Sequence, residues 1–323
     1  MKKVAIGIDI GGTNTVLGIV DKEGKVISES SIPTKTHPDY TIYMTALVEA
    51  VNTLLDPVRG DVEVVGMGVG APNGNYYNGT IEFAPNLKFK GVVPVVDFLR
   101  QKFDYPHIIL TNDANAAAIG EMIYGGARGM KHFIMITLGT GVGSGIVVNG
   151  EMVYGHDGFA GEIGHTIVDP NGRECGCGRN GCLETYTSAP GIKRTVFELL
   201  ATMTDPSELR NISFNELSAK RIDEAARKGD AIALEAFDYT GEVLGLKLAD
   251  AVAHTSPEAF FLFGGLANAG ELIFEPVRHY LEENVLNIYK NKVKVLPSEL
   301  PASDAAVLGA SALVWKEKGS DNQ

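Results

Sequence analysis

Ile8-Asp9-Ile10-Gly11-Gly12-Thr13, near the start of the chain, is matched 128 positions later by Ile136-Thr137-Leu138-Gly139-Thr140-Gly141. Each stretch is an apolar run that stops on a glycine turn. Each is followed by Gly-Ile-Val, at Gly18 and at Gly145, with a one-residue slip. An apolar run, a glycine turn and a second apolar run read as two strands of a hairpin. Because the pattern recurs, the chain is expected to hold a duplicated β-β-β-α-β-α core, one copy per domain.

Around the first copy, Val4–Ile10 and Thr15–Val20 are expected strands, and Ile42–Leu55 has helical spacing that stops before Pro57. Val62–Gly70 reads as a buried strand, followed by a loop rich in Pro, Gly and Asn from Ala71 to Gly79. Val93–Phe103 looks helical and His107–Thr111 looks like a strand. Asn112-Asp113 opens an Ala-rich helix to about Tyr124. Around the second copy, His132–Leu138 and Ile146–Val148 are strands, with a hairpin signal at Asn149-Gly150. Helices are expected over Asn215–Gly229 and Ala231–His254, a strand over Ala259–Phe263, and a closing helix over Asp304–Lys316. The expected division is a small α/β domain of residues 1–112 plus 304–323 and a large one of 113–303, meeting along a central cleft. At 323 residues the chain is long for one core, which fits two domains.

Hydrophobic content of 45% with 21% charged residues marks an ordinary globular protein. A net charge of −12 argues against binding a phosphate backbone, so no nucleic-acid partner is expected. No apolar run approaches the roughly 20 residues of a bilayer span, so no membrane partner is expected either. Met1-Lys2-Lys3 runs straight into a strand and lacks a signal-peptide cleavage region. With three thiols suited to a reducing compartment, the expected location is the cytoplasm.

Those thiols are the chain's only cysteines, Cys175, Cys177 and Cys182, and His165 lies ten positions upstream of the first. Three thiols and an imidazole complete a tetrahedral Zn²⁺ set, a filled and therefore structural site. It would pin Glu162 and Glu184 beside each other. Asp9, Gly11, Gly12, Thr13 and Asn14 form a strand-turn-strand, which excludes the Walker loop and the dinucleotide fingerprint. Such a turn brings backbone N–H groups close to phosphate oxygens, and Asp9 suits Mg²⁺ held through water. Gly139, Thr140 and Gly141 supply a second turn, so the pair is expected to clamp a nucleotide polyphosphate. Valine at Gly12 or Gly141 is expected to block backbone approach and to resist positive φ, raising KM for nucleotide far more than for sugar. Asn112-Asp113 leaves two readings open: a helix N-cap, or one cap plus a carboxylate that accepts a hydroxyl proton. Asn86, Asn112, Glu162 and Glu184 lack a basic partner nearby in sequence, which suits a neutral polyhydroxylated ligand.

Asp9-Ile10-Gly11-Gly12-Thr13, Asn112-Asp113-Ala114-Asn115, Leu138-Gly139-Thr140-Gly141, Gly161-Glu162-Ile163-Gly164-His165 and Cys175-Gly176-Cys177…Gly181-Cys182-Leu183-Glu184 together resemble the ROK family. That family of repressors, open reading frames and kinases sits in the actin/hexokinase/Hsp70-like superfamily. The resemblance covers nearly the whole chain. It implies the two-domain actin-like, ribonuclease H-like ATPase fold and an ATP:hexose 6-phosphotransferase of the glucokinase type, part of glycolysis. ATP and Mg²⁺ would be its cofactors and Zn²⁺ structural, with a homodimer or dimer of dimers as its assembly. Asp113 would be the catalytic base. Asn86, Asn112, Glu162, His165 and Glu184 would hold the sugar, with His165 also ligating zinc through its other nitrogen. Gly264 and Gly265 would lie against the adenosine. Ala71-Pro72-Asn73-Gly74-Asn75 departs from the family's Gly-x-Pro-Gly-x-Val. The alternatives are an N-acetylmannosamine or fructose kinase of the same mechanism, and a sugar-responsive regulator. The regulator needs a helix-turn-helix before the first hairpin, where three residues stand.

Overall fold

The computed structural model describes residues 1–37 and 39–320. The chain opens with β1 (Lys2–Ile10), β2 (Asn14–Asp21) and β3 (Val26–Pro33), followed by α1 (Tyr40–Leu55) and β4 (Val62–Ala71). Three short strands come next, β5 (Gly74–Asn75), β6 (Thr80–Glu82) and β7 (Val92–Val93), and form a small sheet of their own. Then come α2 (Val95–Arg100), β8 (His107–Asn112) and α3 (Asp113–Ile123). The main sheet has the order β3-β2-β1-β4-β8, antiparallel from β1 to β3 and parallel from β1 to β8. Val4, Ala5, Ile6 and Ile8 of β1 are fully buried, the near-continuous apolar run of a strand covered on both faces. On α1, Tyr43, Met44, Leu47, Val51, Leu54 and Leu55 face this core at helical spacing.

The second copy holds β9 (Phe133–Leu138), β10 (Val142–Val148) and β11 (Glu151–Met152). After them come α4 (Glu184–Thr187), α5 (Ala189–Thr202), α6 (Ala219–Arg227) and α7 (Ala231–Thr255). The chain continues through β12 (Ala259–Phe263), α8 (Glu271–Asn284) and β13 (Lys294–Pro297) to α9 (Ala305–Ser320). The sheet order β11-β10-β9-β12-β13 repeats that of the first sheet strand for strand. Ile10 and Leu138 end the first strands, and Asn14 and Val142 begin the second ones, so the 128-residue offset holds through both turns. The duplication is real, and it is larger than the expected β-β-β-α-β-α unit. Each copy adds a fifth strand, β8 or β13, and a helix after it. The core is that of an actin-like ATPase.

The chain divides into two compact units. The first comprises Met1–Met130, Met152–Ala160 and the residues from Glu299 on; the second comprises Lys131–Glu151 and Gly161–Ser298. The division therefore falls after Met130, not after Asn112, and α3 goes with the first unit. The cause is packing that local sequence does not display, because α3 lies against α9. A Cβ on Gly120 of α3 would stand 2.9 Å from Gly309 Cα of α9. α9 also crosses the first sheet where β1 and β4 carry glycine. Side chains at Gly7 and Gly68 would run into the carbonyls of Val307 and Ala310. Residues 321–323 of the expected closing segment lie outside the described residues. Among the described residues, no helix is long and apolar enough to cross a membrane.

Several boundaries shift for identifiable reasons. The helix expected over Val93–Phe103 starts at Val95, because Pro94 holds the chain out of helical geometry before it. That expected over Asn215–Gly229 starts at Ala219, where the Ser218 hydroxyl accepts from Arg221 N. The loop expected over Ala71–Gly79 contains β5, and α5 and α8 lay outside the sequence expectations.

Candidate active site

In the first unit, the parallel strands β1, β4 and β8 end side by side, with Asp9 in register with Gly70 and Gly70 with Thr111. Carboxyl ends of parallel strands are where open α/β sheets bind ligands. A Cβ placed on Gly70 would lie 3.4 Å from Asp9 Oδ1 and 3.7 Å from Asp113 Cα, so two acids flank one glycine. Burial, with a smaller contribution from the charge of Asp113, pushes the Asp9 pKa up to about 7. Asp113 keeps solvent access, while the protein packed around it raises its pKa despite the backbone N–H of Ala114.

Geometry assigns the cap of α3 to Asn112. Asn112 has extended backbone and is the N-cap; its Oδ1 accepts from Ala114 N at 2.8 Å. Asp113 is the first helical residue, also accepting from Ala114 N at 2.8 Å. The cap therefore does not require Asp113. Asn112 uses its carbonyl oxygen on the helix.

The Gly11-Gly12-Thr13 turn is braced from behind. Thr13 O accepts from Thr34 N at 2.9 Å and from Lys35 N at 3.2 Å. Buried Thr15 shares hydrogen bonds with Thr34 and with Tyr43, whose pKa burial raises. Thr13 and Asn14 are exposed at the tip. Asn86, also exposed, lies against Gly12: a Cβ on Gly12 would stand 2.8 Å from Asn86 O. The loop that carries Asn86 is held by Lys90, whose ammonium donates to Ala84 O at 3.3 Å and Pro85 O at 3.1 Å. Lys90 was not anticipated from sequence, where only its separation of a few residues from Asn86 was visible.

In the second unit, Gly139 N donates to Gly141 O at 3.0 Å and closes the other turn, with Thr140 exposed. Gly264, at φ 105°, packs against Leu138 at the root of that turn, and Leu266 N donates to Leu138 O at 3.2 Å. Beside Gly265 opens a cavity of about 540 Å³, lined by Ala189, Ser218, Lys220, Phe237 and Asn268 among others. These residues come from α5, α6, α7 and the turn after Leu266, so no local motif announced them.

Glu162 and His165 flank a single tight turn, Ile163–His165, in which His165 N donates to Glu162 O at 3.0 Å. Glu162 is exposed, and Ser144 fixes the turn by donating its hydroxyl to Gly161 O and accepting from Ile163 N. Glu184 begins α4; its Oε2 accepts from Val142 N at 3.0 Å, and Cys175 Sγ lies 3.8 Å from its Oε1. The ligand atoms of His165, Cys175, Cys177 and Cys182 all lie within 4.8 Å of one another. Cys177 Sγ and Cys182 Sγ are 3.6 Å apart, and Cys175 Sγ is 3.8 Å from His165 Nδ1. Donors about 2.3 Å from a common centre in a tetrahedron are roughly 3.8 Å apart, so the set fits Zn²⁺. Nδ1 of His165 faces the Cys175 thiol. Arg173, also unanticipated, ties the metal loop to the helices behind it, donating to Thr185 O at 2.8 Å and Gly191 O at 3.1 Å.

One physical reason expected for the two turn glycines, a positive φ, is not what the structure shows. Neither Gly12 nor Gly141 has left-handed backbone. Both are needed for close approach: Gly12 to Asn86, and Gly141 to the Glu184 carboxylate. On the expected assignment of this turn to nucleotide and of Glu184 to sugar, Gly141→Val should raise KM for both. A displacement of about 1 Å costs on the order of 10²-fold in kcat/KM. Steady-state kinetics with each substrate varied in turn check this; an effect confined to nucleotide would separate Glu184 from the sugar.

A model of the ROK family matches residues 5–317. Among curated relatives is the glucokinase of Streptomyces coelicolor, 34% identical over 316 residues, covering 96% of this chain and 97% of the relative. The glucokinase of Thermotoga maritima is 33% identical, covering 97% and 98% of the two chains. A solved ROK family glucokinase from Streptomyces griseus, in complex with glucose and AMPPNP, is 33% identical with a TM-score of 0.78. The match covers 96% of this chain and 98% of that one.

Proposed function

The chain belongs to the ROK family, and we propose that it acts there as a glucokinase, moving the γ-phosphoryl group of ATP to the 6-hydroxyl of glucose. The observation that carries the mechanism is the pair of acids flanking Gly70 at the strand ends. Phosphoryl transfer asks a protein for positioning and electrostatics more than for covalent chemistry. Asp113 takes the hydroxyl proton, and its raised pKa improves it as a base near neutral pH. Asp9, with its solvent-poor carboxyl beside a second acid, is suited to a cation held through water. Mg²⁺ bound with ATP offsets charge developing on the phosphate oxygens. The two glycine turns present N–H groups to the phosphates, and the cavity beside Gly265 receives the adenosine.

Asn86, the Asn112 NH₂, Glu162, Glu184 and His165 Nε2 hold sugar hydroxyls, a set that accepts and donates without demanding charge from the ligand. His165, Cys175, Cys177 and Cys182 would hold Zn²⁺, which would brace the start of α4 and the turn that ends on His165. The three unbridged thiols support a reducing cytoplasm as the working compartment. A homodimer or dimer of dimers is the assembly that the family resemblance supports.

A coupled assay of ADP release across glucose, mannose, fructose, allose, N-acetylglucosamine and N-acetylmannosamine tests this reading. Glucose is expected to give the highest kcat/KM. A preference for N-acetylmannosamine would move the chain to another branch of the family, and silence with every hexose would end the kinase reading.

The acid pair also sets a pH dependence. A carboxyl whose pKa is higher folded than unfolded stabilises the protein while protonated, and that contribution is lost as pH rises. From the Asp9 value, the loss runs from the usual carboxylate range up to about 7. The ligand-free protein should therefore melt at lower temperature as pH is raised from about 5 to about 8. Asp9→Asn should flatten that slope. Mg²⁺·nucleotide needs the ionised form, so its affinity should fall as pH drops below about 7. Thermal melts and nucleotide titrations across pH read both effects.

A further inference from the structure

Cys177 stands apart from the other two thiols. Cys175 and Cys182 are buried, whereas Cys177 is exposed. It occupies the tip of a hairpin closed by the Glu174–Asn180 bridge, between Gly176 and Gly178. Side chains built on either of those glycines would meet nothing within 4 Å, so the tip has open space on both sides. Beneath it, Cys182 Sγ is 3.6 Å away, while Cys182 itself is fully covered. An exposed sulfur above a buried one at this distance is the arrangement of an attacked thiol and a resolving thiol.

We propose that Cys177 and Cys182 form a peroxide-sensitive pair whose oxidation to a disulfide disassembles the metal site and thereby switches off sugar binding. In the first step the Cys177 thiolate attacks a hydroperoxide oxygen. An S–O bond forms, the O–O bond breaks, and hydroxide leaves. In the second step the Cys182 thiolate attacks the sulfenyl sulfur. An S–S bond forms, the S–O bond breaks, and a second hydroxide leaves. Two thiolates lose two electrons and one peroxide gains them.

The set that would hold zinc then falls from four donors to two, His165 and Cys175. Cys182 lies two residues before Glu184, and Cys175 Sγ lies 3.8 Å from Glu184 Oε1, so the sugar-binding end of α4 loses its anchor on both sides. A reduced Cys177–Cys182 pair can accept metal again, which makes the modification reversible. The consequence for sugar rests on the function proposed above; the thiol chemistry does not.

The test uses the full-length, metal-loaded protein titrated with hydrogen peroxide. Three quantities are followed together: zinc released to a chromophoric chelator, the disulfide peptide found by mass spectrometry, and glucose affinity by calorimetry. The expected result is zinc release in step with a Cys177–Cys182 crosslink. Glucose affinity should fall on the order of tenfold or more, the scale of losing a metal-site support. Dithiothreitol with added zinc should restore all three. A Cys182→Ser variant should stop at the sulfenic acid, trapped on Cys177 by dimedone. Should that variant fail to fold, the wild-type crosslink map still decides. Metal loss without a crosslink, a crosslink through Cys175, or oxidation straight to sulfinic acid would each overturn the proposal. A protein inactive on every hexose would sink the kinase reading and leave the zinc and mass readouts to judge this one.

Discussion

Asp113→Asn is expected to lower kcat by about 10²–10⁴, the usual cost of losing a general base, with sugar affinity held within roughly tenfold. A hexose hydroxyl is a weak nucleophile until its proton has somewhere to go. Asparagine keeps the size and most of the hydrogen bonding of Asp113 and removes only the basicity. The fold should not suffer, because the cap of α3 is Asn112 and Ala114 N keeps that partner at 2.8 Å. Asp9 should also titrate lower in this variant, since the charge of Asp113 is one cause of its elevation. Single-turnover kinetics beside a thermal melt separate these effects. A kcat within threefold of wild type, in a normally folded variant, would place the base elsewhere.

Cys182→Ser is expected to empty the metal site. Loss of a direct ligand should weaken zinc by more than the 10- to 100-fold that a lost outer partner costs. Structural zinc contributes folding free energy directly, up to about 10–16 kcal/mol in small zinc peptides, so the melting temperature should fall clearly. Glucose affinity should fall further than nucleotide affinity. The start of α4 is tied to Cys175 and Cys182, while the Gly264–Gly265 loop is fixed to Leu138 by backbone contacts. Metal analysis of freshly purified, chelator-free protein provides the baseline. Wild-type protein that contains no zinc, yet binds glucose, would remove the metal from the account.

The repeated hairpin was readable because its signal is local: an apolar run, a glycine turn and a second apolar run all fall within about twenty residues. The metal set was readable for the same reason. What escaped depends on partners distant in sequence or on elements too short to show a period. β13 has four residues and β5 has two, and neither carries a periodic pattern. α8 was hidden by Pro276, which sits inside the helix where its ring packs against Gly241 of α7. The assignment of α3 to the first unit depends on a glycine-to-glycine approach with α9, and no window of sequence spans both. At the site, sequence indicated that Gly12 and Gly141 were needed. It could not indicate that the atoms crowding them belong to Asn86 and Glu184.

The placement of α9 has a consequence for how the protein is made. β1 and β4 leave the ribosome early, but their sheet at Gly7 and Gly68 is covered by α9, which is translated after the whole second unit. Val307, Leu308, Val314 and Trp315 of that helix are buried once it docks. Until then the first sheet exposes a broad apolar face, the kind of surface on which nascent chains aggregate or recruit chaperones. The unit begun first is therefore finished last, after the second unit has had time to fold. A stop codon shortly before Ala305 would remove few residues and yet leave the N-terminal half without one side of its core.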